Sequence, residues 1–155
     1  RIVRRPRPNR KLGFVASEVA SGCRPAGGIM TGTEHRTEHR DFAEPDEVRT
    51  FGHGRMAVVG VGDSEIGRLE LEPGWRWSVD VKPIAGTELC EAPPHFQYHV
   101  SGVLHIVMAD GTEFDAGPGQ ITSLPSGHDA WVVGDEPVVT VDFYGASNYA
   151  KSVGD

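Results

Sequence analysis

The stretch Cys90–Trp131, CEAPPHFQYHVSGVLHIVMADGTEFDAGPGQITSLPSGHDAW, decides how the rest of the chain is read. Within it FQYHVSG, VLHIVMADG, TEFDAGPG and QITSLPSG are short β-rich runs, each closed by a glycine. Runs of that length, bounded by such residues, read as strands joined by tight turns. In HFQYHV the two-residue period places His95, Gln97 and His99 on one face and Phe96, Tyr98 and Val100 on the other. Turned inward, the first of these faces would line a polar cavity.

The same stretch concentrates metal-ligating side chains. Cys90, His95 and His99 fall close together, Glu88 stands just before them, and His128 follows Pro-Ser-Gly in a later run. Thiolate with imidazole is the donor set that suits zinc, while a carboxylate among the donors keeps iron, manganese or nickel open. Singly, each has a plainer reading: a free cysteine is usually a small buried hydrophobe, and a histidine a hydrogen-bonded polar group. Donors gathered at the starts of two runs are what point to a metal. His105 lies opposite the apolar face of Leu104, Ile106 and Met108 and is read as a surface residue.

Outward from this stretch the strand signals continue. GRLELEPG alternates Leu69 and Leu71 with Glu70 and Glu72, and MAVVGVG, WRWSVDVKP, AWVVGDEP and VVTVDFYG read as further strands. With 20 Gly and 11 Pro in 155 residues and no convincing helical period, the chain is expected to be an all-β sandwich or barrel. Residues 55–148 make up that barrel domain. Residues 30–54, with the doubled Thr-Glu-His-Arg that holds His35 and His39, read as a polar lead-in. Residues 1–29 read as a disordered or loosely attached basic extension. Met30 is the expected natural start. A lipoprotein-like reading of LGFVASEVASGC is disfavoured because Glu18 interrupts its apolar run.

Charge narrows the partners. Residues 1–29 carry seven basic residues against one acid, +6, so the total of −7 leaves −13 for the remainder. An acidic body argues against a nucleic-acid binder and against docking on anionic lipid. Two cysteines in unlike contexts indicate no disulfide framework, and a reducing cytoplasm is expected. No apolar run is long enough to span a bilayer.

Two further patterns resemble the cupin motifs. Gly119, five residues, then Pro125-Ser-Gly127 matches the second motif. FQYHVSG resembles the strand that ends the first, with Gly102 in place; His95 then stands at that motif's Glu, Cys90 at its second His and Glu88 at its first. The second motif's metal histidine would fall at Ala130, and His128 shares its strand parity. The resemblance spans roughly Gly67–Gly145. It implies a double-stranded β-helix, or jelly roll, closed into a barrel. It also implies a divalent metal, zinc foremost, held by Cys90, His95 and His128 with Glu88 or His99 as fourth ligand. His99 is the candidate acid/base, and Trp75, Trp77, Tyr98 and Trp131 are candidate pocket walls. By the same resemblance Arg76 and Lys82 would fall near the barrel entrance, and pairing as a homodimer is expected. Two functions compete: an oxygenase or isomerase acting on a small molecule in the barrel, and a non-catalytic ligand- or metal-sensing cupin. Signatures of P-loops, dinucleotide folds and serine nucleophiles are absent.

Overall fold

Strand alternation sorts the side chains of two antiparallel sheets into an inner and an outer set. The computed structural model describes residues 1–4, 37–92, 94–144, 146 and 149–151. The first strands in chain order are β1 (Ile2–Arg4), β2 (Glu47–Phe51), β3 (Gly54–Val61) and β4 (Ser64–Leu71). Two single-turn helices follow, α1 (Trp77–Asp80) and α2 (Lys82–Ala85). The remaining strands are β5 (His95–Ser101), β6 (Val103–Met108), β7 (Glu113–Ala116), β8 (Ile121–Leu124), β9 (His128–Val133) and β10 (Val138–Asp142).

One sheet runs β1-β2-β3-β4-β10-β5-β8 and the other β7-β6-β9. Their inner faces share one core that includes Met56, Leu69, Leu71, Leu104, Ile106 and Val138. This is the all-β sandwich or barrel expected from the strand signals, in the jelly-roll form that the resemblance implied. On β5 the alternation holds residue by residue: His95, Gln97 and His99 are buried, whereas Phe96, Tyr98 and Val100 are exposed. A polar inner face amid apolar neighbours is what later makes a site.

Several sequence expectations are corrected here. WRWSVDVKP is no strand; Trp77 and Val81 are both buried, four residues apart, at helical spacing, while Val79 is 63% exposed. Side chains hold the turn: Asp80 accepts from the Arg76 amide at 2.9 Å and Asp129 from the Ser78 amide at 3.0 Å. Pro83 at the start of α2 and left-handed Gly86 at its end bound the second turn. The sheet also begins before residue 55. β2, within the expected lead-in, pairs along β3 from Glu47↔Val58 to Phe51↔Gly54. Ile2–Arg4 is attached in turn, as an edge strand on β2. The rest of the expected extension, 5–29, and the first residues of the lead-in, 30–36 with His35, lie outside the described residues. His39 is exposed.

Gly102 shows why one motif glycine is required. Its φ of +66° closes the β5–β6 hairpin, and a Cβ there would lie 2.6 Å from the Pro137 carbonyl oxygen. Both conformation and space demand glycine. The chain's described end is fastened by a buried arginine. Arg49 Nη1 donates to the carbonyls of Ala146 and Tyr149 at 2.6 and 2.7 Å, and Nε to Glu47 at 2.7 Å.

Candidate metal centre

The segment after α2 crosses to the opposite sheet and pairs there. The Cys90 amide donates to the His128 carbonyl at 2.9 Å, and the Gly127 amide to the Cys90 carbonyl at 2.8 Å. Gly127 takes φ +91°, so the turn delivers His128 directly onto this bridge. The bridge sets thiol beside imidazole. His95, first residue of β5, completes the group: Cys90, His95 and His128 each offer a ligand atom, all within 4.8 Å of one another and all buried.

Hydrogen bonds fix which imidazole nitrogen faces the thiol. His95 Nδ1 donates to Asp142 Oδ2 at 2.5 Å, leaving Nε2 at 3.6 Å from Cys90 Sγ. His128 Nδ1 donates to the Pro125 carbonyl at 3.0 Å, which leaves its Nε2 to face the Cys90 thiol. With zinc bond lengths near 2.3 Å to sulfur and 2.0 Å to nitrogen, a tetrahedral edge from sulfur to nitrogen is roughly 3.5 Å. The Cys90–His95 separation meets that edge without rearrangement. The donors fit a divalent metal in chemistry and in spacing.

The electrostatics agree. Burial alone would push the Cys90 thiol up, but hydrogen bonds and charge from His128 and His95 bring it to about 6. Burial alone would lower His95, whereas its bonds to Asp142 and Cys90 raise it to about 9. Burial would likewise raise the Asp142 carboxyl, and His95 holds it below the usual carboxylate range. The neighbours that lower the Cys90 thiol are those that favour the thiolate a metal requires.

His95 and His128 lie in the wall of a small cavity of about 20 Å³, with Trp75, Trp77, Gln97, Thr140 and Tyr149 and the leucines of β4, β6 and β8. Tyr149 is 3% exposed and packs edge-on against His95 at 5.4 Å between ring centroids.

The other candidates fall elsewhere. Glu88 is not brought into the cluster: its side chain is 90% exposed and forms an ion pair with Lys82. The carboxylate gains nothing from burial near a thiolate and stays in water. Arg76, the other cation expected at the entrance, pairs with Asp129 at 2.9 Å and stacks 4.5 Å over the Trp131 ring. His105 lies against the same Trp131, 4.3 Å between centroids, and bonds Asp115, as its surface reading requires. Tyr98 lies on the outer face, 40% exposed. His99 shares the inner face of β5 and is fully buried, but it is absent from the cavity lining; its Nε2 bonds Thr122 Oγ1 at 3.1 Å.

Burial holds His99 below the ordinary imidazole range. Folded His99 thus protonates at lower pH than the unfolded ring. The stability this contributes is present above the unfolded pKa and is lost as pH falls toward the folded one. Urea titrations at pH 7 and pH 5 are expected to show a larger stability loss for wild type than for His99→Gln, by up to about 1.4 kcal/mol per pH unit. Parallel losses would show that His99 carries no buried neutral ring.

Two site residues escaped the sequence reading. Asp142 had a signal, since strand period places an acid on the same face as Val138 and Thr140, an odd neighbour for a core. Tyr149 had none, because the segment holding it has no strand or helix period.

No family model matches the sequence, and no curated protein matches it. Solved structures do match. An oxalate decarboxylase solved to define its substrate binding mode aligns with TM-score 0.51 and 19% identity over 79% of this chain and 36% of that one. A mutant of the Bacillus subtilis oxalate decarboxylase aligns with TM-score 0.50 and 19% identity over the same shares. A cupin-2 domain protein from Rhodospirillum rubrum aligns at 0.45 and 16% identity, over 67% and 64% of the two chains. The chain thus spans about a third of the decarboxylase it matches, and at these identities the likeness concerns the fold alone. With two antiparallel β-sheets sharing one core and the fold of these decarboxylases, the chain has the double-sheet jelly-roll fold that the resemblance to cupins implied.

Proposed function

We propose that the protein binds a divalent metal ion, zinc, through Cys90, His95 and His128 and captures a small molecule in the adjoining cavity. One observation carries this reading: three buried donors on separate segments lie within 4.8 Å, the two imidazoles each bonded through Nδ1 to a fixed acceptor. Cys90, His95 and His128 would hold the ion, which when bound would supply Lewis acidity to a captured molecule. The chain's own residues do the rest. Asp142 orients His95 and sustains its basicity, the Pro125 carbonyl orients His128, and the leucines of the wall exclude water.

The donor set favours isomerase-type proton chemistry over an oxygenase, because cysteine with two histidines suits a metal without a redox step. Capture without turnover is the second reading. It is favoured by the placement of His99, the expected acid/base, outside the cavity lining. The protein functions in a reducing compartment such as the cytoplasm, where Cys90 remains a thiolate. A homodimer belongs to the same proposal and is supported by the exposed apolar face of Phe96, Tyr98, Val100 and Ile121.

Cobalt substitution tests the site. The Co(II) protein is expected to show intense d–d bands of a four-coordinate site together with a sulfur-to-cobalt charge-transfer band. Weak octahedral bands without the charge-transfer feature would contradict the reading.

A further inference from the structure

The cavity beside the two histidines measures about 20 Å³. Room for one water takes roughly 10–15 Å³, whereas pockets for organic ligands start near roughly 300 Å³. Its size therefore admits a single water-sized molecule and excludes an organic one unless the wall moves.

The chemistry of the wall favours water. Leu69, Leu71, Leu104, Leu124 and Ala130 make much of it aliphatic, and a cavity lined by such residues alone stays dry. Among the described residues, however, three buried side-chain polar atoms have no hydrogen-bond partner in the protein: Trp75 Nε1, His99 Nδ1 and Thr140 Oγ1. Trp75 and Thr140 belong to this wall and His99 does not. Trp75 is 3% exposed and Thr140 fully buried, so bulk solvent serves neither.

Thr140 is the more telling of the two. It stands on the inner face of β10 between Val138 and Asp142. Valine would fill that place without burying a hydroxyl, which costs stability unless a partner meets it. Trp75 brings a donor and Thr140 both a donor and an acceptor, and Trp77 and Tyr149 add an indole and a phenol to the same wall. Water, which donates and accepts at once, suits several such groups together. Gln97 Nε2, His95 Nδ1 and His128 Nδ1 are already engaged, with Asp142, Asp142 and the Pro125 carbonyl.

We infer that this cavity is a binding site for a single internal water molecule, held by the Trp75 indole N–H and the Thr140 hydroxyl beside His95 and His128. The site rests on the cavity half of the proposed function, not on the metal, and it deepens that half. Water is the molecule captured in the closed barrel, and any larger ligand would have to displace it and move the wall.

Magnetic relaxation dispersion of the water oxygen counts long-lived internal waters and is blind to protein hydroxyls. It is measured on the full-length protein as purified and on Thr140→Val, Thr140→Ser and Trp75→Phe, with circular dichroism and metal content on the same samples. Thr140→Val is expected to lack one long-lived water that wild type and Thr140→Ser both hold. Trp75→Phe is expected to lack the same water, and serves alone if Thr140→Val does not fold. Equal counts in wild type and a folded Thr140→Val or Trp75→Phe would overturn the inference, as would loss in Thr140→Ser equal to that in Thr140→Val. If wild type holds no metal and Thr140→Val still loses a water, the metal reading fails and this one stands. If wild type holds metal and neither variant loses a water, this one fails alone.

Discussion

Cys90→Ala is expected to lower zinc affinity by more than about 100-fold. Groups that merely orient a metal-bound histidine are worth roughly 10–100-fold, and Cys90 would be a ligand itself. The Cys90 sulfur is the only donor of the cluster that can carry a negative charge, and its contact with His95 Nε2 is buried. Its removal takes away both a donor atom and the charge that offsets the metal's own. The fold should survive, because alanine keeps the backbone bridge between Cys90 and His128. Competition against a chromophoric chelator, with circular dichroism on the same samples, measures both. Unchanged zinc affinity in a folded Cys90→Ala protein would exclude the thiolate from the site.

Arg49→Leu is expected to cost about 3–5 kcal/mol, the range for removing one member of a buried charged network. Arg49 is 1% exposed and draws the described C-terminal segment onto the sheet through two carbonyls. Leucine fills part of the volume and leaves both carbonyls and Glu47 without that partner. The consequence reaches the site, since the same segment carries Tyr149 into the cavity wall against His95. Urea denaturation gives the stability. Iodide quenching of tryptophan fluorescence gives the opening, because Trp75 and Trp77 line that cavity. A variant as stable and as protected as wild type would mean that the segment is held by packing alone, such as that of Ala146 against Gly67.

How much of this was legible before the structure follows from the range of each interaction. The β5 face was readable from alternation alone, since a two-residue period depends on nothing distant. Gly102 and the Pro125–Gly127 turn were readable because backbone constraints are local. The helical turns of Trp77–Asp80 and Lys82–Ala85 were missed because a single turn offers too few residues for a period. For the first of them, a bond that holds the turn comes from Asp129, far along the chain. Glu88 was named from its position in a motif, a spacing argument that does not know which way a side chain turns. In the fold it faces water and Lys82. Asp142 and Tyr149 reach His95 only through tertiary contacts, 47 residues away in the case of Asp142. Register between β10 and β5 places Asp142, and the bonds of Arg49 to the segment of Ala146 and Tyr149 place Tyr149; no local pattern encodes either.

The central claim is that Cys90, His95 and His128 form a metal centre. Its most direct test is elemental analysis of protein purified without added metal, for wild type, His128→Ala and Glu88→Gln. One equivalent of zinc per chain is expected in wild type and in Glu88→Gln, and substoichiometric zinc in His128→Ala. Wild-type protein without stoichiometric metal, or His128→Ala with a full equivalent, would contradict the assignment.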